Sequence, residues 1–192
     1  MTNNTTRVYN VRGPNGSGKT FLVRRWMQQT GALAYPRRPN LLGGETVCGP
    51  VQYYKLDDGG IVLGSYENNC GGVDAFDDFD TIARAVRHHL KARPPYLIFE
   101  GVIVSHIFGY WYALSESIGG MTWVFLDTPI EVCLERISAR NHGKAFNTEY
   151  VRQKHRDIQR ICTKATAAGE QVVVLPWKQA YSAFSELLKK RG

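Results

Sequence analysis

Near the start of the chain runs Gly13-Pro14-Asn15-Gly16-Ser17-Gly18-Lys19-Thr20, which satisfies the pattern G-x-x-x-x-G-K-[ST]. No other stretch restricts the fold as much, because the pattern works only between a strand and a helix. Both flanks fit. Residues 7–12 read as a short strand that runs directly into Gly13, and 20–29 place Phe21, Leu22 and Trp26 at helical spacing before the stop signal Thr30-Gly31. Glycines let such a loop curl until successive backbone N–H groups converge on one anion. The helix that follows adds about half a positive charge at its N-terminus. Gly13, Asn15, Gly16, Ser17 and Gly18 are therefore the expected cradle for the phosphates of a nucleoside triphosphate. Lys19 is expected to reach the β- and γ-phosphates, and Thr20 to offer a hydroxyl to Mg²⁺.

The rest of the chain alternates in the same way. Strands are expected at 32–35, 96–99, 122–126 and 171–175, with the apolar runs at 96–99 and 122–126 suited to central parallel strands buried on both faces. Helices are expected at 76–91, 106–118, 129–140, 149–167 and 180–189. Alternation implies parallel βαβ units, hence an α/β fold with a mostly parallel sheet of five strands. One stretch departs from this rhythm. Residues 52–56 and 61–65 flank Asp57-Asp58-Gly59-Gly60, a hairpin signal within an inserted segment at about 51–66.

These elements narrow the class. A GTPase would carry N-K-x-D, which is absent, and the formal D-x-x-G at 57–60 is explained by the hairpin turn. An ATPase motor needs a longer chain than 192 residues. A small phosphotransferase remains. No apolar run approaches the roughly 20 residues needed to cross a bilayer, and Met1 to Arg7 lack an apolar signal core, so an intracellular soluble protein is the expectation. Cys48, Cys70, Cys133 and Cys162 are widely spaced and read as packed thiols rather than metal ligands.

The formal net charge is +7, which favours polyanions or is a solvated surface without a partner. The charge is unevenly placed. Residues 57–80 hold seven acids and no Lys or Arg, whereas 135–164 hold eight bases against three acids. The second segment is therefore a candidate phosphate-facing surface.

Two acids are candidates for chemistry. Glu100 follows the buried strand at 96–99 and precedes Gly101, at the strand end where ligands of open α/β sheets gather. It can hold Mg²⁺ or accept a proton, or it can cap the next helix. Asp74 follows Gly71-Gly72, which would let a substrate approach closely. It is a catalytic base for the attacking hydroxyl or the N-cap of the helix after it. Trp177 and Lys178 would frame the nucleotide base, unless the tryptophan is simply buried.

The stretch Leu126-Asp127-Thr128-Pro129 followed by Arg136 and Arg140 resembles the nucleoside-monophosphate-kinase-like group of P-loop kinases. The resemblance implies a P-loop NTPase fold, a three-layer sandwich with a helical lid at about 136–156. It implies that Arg136 lies against adenine and Arg140 reaches the transferring phosphate. Lys144, Arg152 and Arg156 would extend the lid's positive face, with Gly143 helping it close.

Leu63-Gly64-Ser65-Tyr66 and Cys70-Gly71-Gly72-Val73-Asp74 are similar to a signature of viral P-loop kinases that phosphorylate 5-hydroxymethyluracil in DNA. This resemblance, supported by Phe99-Glu100-Gly101, implies ATP and Mg²⁺ as cofactors, DNA as partner and the cytoplasm of an infected host cell as location. Tyr66 would stack on the base, Asn68 or Asn69 would read its edge, and Arg37, Arg38 and Lys55 would hold the DNA backbone, with Gly71, Gly72 and Asp74 at the acceptor. The competing readings are a kinase for a free nucleotide or small hydroxyl compound, and a nucleotide-dependent DNA-binding module without transfer.

Overall fold

A computed structural model of the chain describes residues 5–35, 52–67, 71–76 and 78–189, together with the backbone of 37–39 and 45–47. Strand β1 (Arg7–Arg12) runs into the glycine loop and helix α1 (Lys19–Thr30). β2 (Ala32–Tyr35) follows, and then a small separate hairpin of β3 (Arg37–Pro39) and β4 (Glu45–Val47), which the sequence did not announce. β5 (Tyr53–Leu56) and β6 (Ile61–Leu63) are the expected hairpin. The second half is α2 (Phe79–Leu90), β7 (Tyr96–Glu100), α3 (Val102–Ser105), α4 (Gly109–Ser117), β8 (Thr122–Asp127), α5 (Ile130–Arg140), α6 (Thr148–Ala167), β9 (Gln171–Pro176) and α7 (Ala180–Lys189).

The main sheet has seven strands in the order β2-β5-β6-β7-β1-β8-β9. It exceeds the expected five because the hairpin does not stand apart: β6 pairs parallel with β7, and β5 carries β2 on its far side. Only β5 runs against the others in this sheet. β1 and β7 are central, and all five residues of β7 are buried, which explains the unbroken apolar run of Tyr96 to Phe99.

Helices cover both faces. Tyr9, Val11, Ile98 and Val124 meet Leu22, Val23 and Trp26 of α1 and Phe184 and Leu188 of α7. On the opposite face Val8, Leu97, Phe99 and Trp123 meet Ile82 and Val86 of α2, Trp111 of α4 and Ile158 and Ile161 of α6. Each fully buried side chain of this size contributes roughly 1.5–3 kcal/mol of transfer free energy, so the sheet is held rigid from both sides. Trp26 also donates to Tyr96 Oη at 3.0 Å, and Tyr96 donates to Asp58 Oδ2 at 2.6 Å, which fastens α1 to the hairpin turn. Arg12, Glu100 and Asp127 end neighbouring parallel strands on one edge, and the loops there build the site. Among the described residues no helix is long and apolar enough to cross a membrane.

Candidate active site

A cleft of about 210 Å³ opens at that edge, lined among others by Gly16, Lys19, Thr20, Asp74, Glu100 and Arg140. Its floor is the glycine loop. Gly16 and Gly18 take φ of 78° and 100°, a conformation that side chains disfavour. A Cβ on Gly16 would also collide with the Cys133 carbonyl of α5. The loop is therefore pressed against α5 and braced there: Thr128 Oγ1 donates to the Ser17 carbonyl at 2.9 Å, and Arg136 Nη1 donates to the Gly16 and Ser17 carbonyls at 3.2 and 3.3 Å.

Lys19 is buried, and its Nζ donates to the Gly13 and Pro14 carbonyls at 2.8 and 3.2 Å. Burial lowers its pKa, while the carboxylates of Glu100 and Asp74 pull it back up. Ser17 Oγ is buried with no hydrogen-bond partner among the described residues. An orphaned hydroxyl, an ammonium and a curled run of N–H groups in one concavity match the chemistry of a polyphosphate.

Beside this cradle Thr20 Oγ1 donates to Glu100 Oε1 at 2.9 Å. Glu100 is 1% exposed, and burial pushes its carboxyl up to about 7, against the opposing pull of Lys19. A hydroxyl and a buried carboxylate beside a phosphate cradle form a donor set suited to Mg²⁺, which favours oxygen ligands and completes its shell with phosphate and water.

The two candidate acids exchange the structural role considered for them. Glu100 caps no helix among the described residues, and its carboxyl accepts from Thr20 instead. Asp74 does not cap the helix after it either, because α2 begins only at Phe79 and is capped by Asp78, whose Oδ1 accepts from Thr81 N at 2.6 Å. Instead Asp74 reaches across to α3: its Oδ2 accepts from Val102 N at 2.8 Å and its Oδ1 from Ile103 N at 2.9 Å. It remains exposed toward the cleft. Two N–H bonds thus fix an accessible carboxylate at the mouth of the phosphate cradle.

The paired glycines serve this placement. Gly72 has φ 86°, and a Cβ there would strike the Glu100 carbonyl; a Cβ on Gly71 would lie 2.8 Å from Tyr66 and 2.9 Å from Thr20. Gly72 therefore accommodates neighbouring protein groups rather than a substrate, while Gly71 lines the cleft. Tyr66 is corrected more sharply. It is 6% exposed and packs edge-on to Tyr54 at 5.8 Å, so its ring cannot serve as an open platform for a base. It belongs to the buried cluster that includes Tyr54, Leu22 and Trp26. Lys55 is exposed on β5. The side chains of Arg37 and Arg38, and Asn68 and Asn69 entirely, lie outside the described residues.

Of the lid candidates, Arg136 and Arg140 line the cleft. The Arg136 guanidinium also lies 5.6 Å from the centre of the half-buried Trp177 ring, with Lys178 Nζ at the same distance. Arg152 and Arg156 do not add to a positive face, since they pair with Glu131 at 2.9 Å and Glu149 at 2.6 Å. Lys144 is exposed.

Sequence reasoning missed the brace behind Asp74 and the glycine loop. Arg12 is fully buried, with its guanidinium 3.9 Å from the centre of the Trp123 ring, and its Nη1 donates to the Ser105 and Ile107 carbonyls at 3.5 and 3.2 Å. Ser105 Oγ accepts from Gly13 N at 3.3 Å and donates to the Gly101 carbonyl at 2.5 Å. The entry to the glycine loop and the helix that holds Asp74 are thereby tied together. An arginine ending a strand gives no signal of this, because its partners lie more than ninety residues away.

Known proteins match this architecture. The family model described as 5-hmdU DNA kinase matches residues 2–167. The chain is 38% identical over 192 residues to a 5-hmdU DNA kinase of Pseudomonas phage M6, covering 97% of this chain and 100% of that one. It is 32% identical over 196 residues to a 5-hmdU DNA kinase of Pseudomonas phage PaMx11, covering 95% and 97%. Among solved structures, a gluconokinase from Sinorhizobium meliloti 1021 shares the fold, with a TM-score of 0.52 at 16% identity over 96% of this chain and 95% of that one. The chain is thus a phosphotransferase and belongs to the 5-hmdU DNA kinase family.

Proposed function

We propose that this kinase transfers the γ-phosphate of ATP to the hydroxymethyl oxygen of 5-hydroxymethyluracil in phage DNA, within the cytoplasm of an infected cell. The observation that carries the reading is Asp74: an accessible carboxylate, pinned by two backbone N–H groups, in one cleft with Lys19, Thr20, Glu100 and Arg140.

The residues divide the work. The loop of Gly13, Asn15, Gly16, Ser17 and Gly18 holds the β- and γ-phosphates with Lys19 and Thr20. Thr20 and Glu100 hold Mg²⁺, which neutralises charge on the phosphates when bound. Arg136, with Trp177 behind it, supports the nucleotide base. Arg140 stabilises charge on the phosphoryl group in flight. Asp74 accepts the proton of the hydroxymethyl group as its oxygen bonds to the γ-phosphorus and the bond to the leaving ADP oxygen breaks. The whole of 1–192 acts as one kinase domain, with 136–156 closing as a lid over the cleft and the hairpin at 51–66 bordering the acceptor side. Gly71 and Gly72 shape that side, and Arg37 and Asn69 belong to the segments proposed to meet the DNA.

A base inside a duplex cannot reach Asp74, so it must be extruded or presented single-stranded, at a cost of a few kcal/mol in the duplex. The test is incubation with γ-labelled ATP and, in parallel, an oligonucleotide containing 5-hydroxymethyluracil, the matched thymidine oligonucleotide, and free 5-hydroxymethyl-2′-deoxyuridine. Label on the first alone is expected. Label on the free nucleoside alone makes the chain a small-molecule kinase, and label on none contradicts transfer to this acceptor.

A further inference from the structure

Three of the eight bases at 135–164 are neutralised by ion pairs along α6, and Lys154 between them is not. Along α6, Arg152 pairs with Glu131, Arg156 with Glu149 and Arg160 with Asp157. Lys154 has no carboxylate partner among the described residues. Its Nζ lies 5.4 Å from the centre of the Tyr150 ring, one turn earlier on the same flank. Tyr150 is 53% exposed, one of four large apolar side chains left open among the described residues.

Helix α6 packs with the α3 region, where Ile158 and Ile161 share an apolar cluster with Ile103 and Ile107. The His106 imidazole is held below its usual range by burial and then by the Lys154 ammonium. His106 Nδ1 is 2.7 Å from the Val102 carbonyl, and Val102 both lines the cleft and donates its N–H to Asp74. The proposed acceptor carboxylate held at α3 and the exposed ring with a cation beside it on α6 therefore belong to packed neighbouring elements. An aromatic face for a base and a cation for the backbone are the two elements of single-strand recognition. Asp157 lies on the same helix, but its carboxylate is engaged by Gln153 at 2.9 Å and Arg160 at 3.4 Å.

Resting on the function proposed above, we infer that Tyr150, Lys154 and His106 form a subsite for the unpaired nucleotide next to the acceptor base in DNA. Tyr150 stacks on the neighbouring base and Lys154 holds its phosphate.

The test uses the full chain and the variants Tyr150→Ala, Tyr150→Phe and Lys154→Gln. In transfer to the 5-hydroxymethyluracil oligonucleotide, Tyr150→Ala and Lys154→Gln should each raise the KM for DNA about tenfold. The change should fall on that KM rather than on kcat, and Tyr150→Phe should restore it. Lys154→Gln should also flatten the salt dependence of affinity by about 0.7 in logarithmic slope. Binding of a thymidine oligonucleotide, followed by fluorescence anisotropy, reads the subsite without chemistry. Undiminished binding in both Tyr150→Ala and Lys154→Gln overturns the inference even if the wild type phosphorylates DNA. Variant-sensitive binding without any transfer overturns the proposed acceptor and leaves the subsite standing.

Discussion

The two halves of the cleft are built by different means. The phosphate half comes from one contiguous segment, Gly13 to Thr20, whose carbonyls are braced by the side chains of Thr128 and Arg136 from 111 and 120 residues away. The acceptor half is assembled from three distant segments. Asp74 crosses 28 residues to reach Val102, and Arg12 crosses 93 to reach Ser105. A cradle made of backbone N–H groups keeps its anion donors when side chains on the other half change. A carboxylate held at a point by side-chain bonds to a four-residue helix is lost with the one side chain that carries it. On the function proposed above, the comparison leads us to expect phosphate binding and acceptor activation to be separable.

The largest expected effect bears on the phosphate half. Lys19→Ala should lower kcat by roughly 10³–10⁵-fold, the scale of a cation acting on the transferring phosphoryl group. Its melting temperature should hold, because the buried ammonium makes only two bonds to loop carbonyls. Steady-state kinetics and a thermal melt check both, and a collapse in stability would make Lys19 structural.

Asp74→Asn strikes the acceptor half. As a lost general base it should cost about 10²–10⁴-fold in kcat. The amide also sets one NH₂ group against the N-terminal N–H groups of α3, so a fall of a few degrees in Tm accompanies it. A fall in Tm with transfer preserved would leave Asp74 a cap and nothing more.

Gly72→Ala should sharpen the contrast through packing alone. The position has φ 86° and no room beside the Glu100 carbonyl, so about 1–3 kcal/mol of stability should be lost, or roughly 2–4 °C of Tm per kcal/mol at this size. Denaturant unfolding measures it.

The smallest effect is pH-dependent. Burial raises the folded-state carboxyl of Glu100 from 4.5 to about 7. The folded protein thus binds more protons than the unfolded chain between those values, and ionised Glu100 costs stability that is fully felt above about pH 7. Glu100→Gln should therefore raise Tm by a few degrees at pH 8. The gain should shrink as the pH falls from about 7 toward 4.5. Thermal melts across that range check the sign, and a gain that grew toward low pH would refute it.

The same contrast explains what the sequence could reveal. Strand β1, the glycine loop and α1 were legible because short-range pattern fixes them, and the apolar runs of β7 and β8 announced central strands. Asp74 was found as a residue but not as a partner of α3, since a four-residue helix has too little periodicity to be seen. Tyr66 was misjudged because the signature around it does not say which side of the chain faces inward. Lys154 was indistinguishable from its neighbours until the pairing of Arg152, Arg156 and Arg160 was known.

Separability of the two halves is tested most directly by calorimetric titration of the Asp74→Asn variant with a magnesium complex of a non-hydrolysable ATP analogue. The account predicts affinity within about threefold of wild type, alongside transfer slowed by a hundredfold or more. Nucleotide affinity that falls in step with the transfer rate would contradict it.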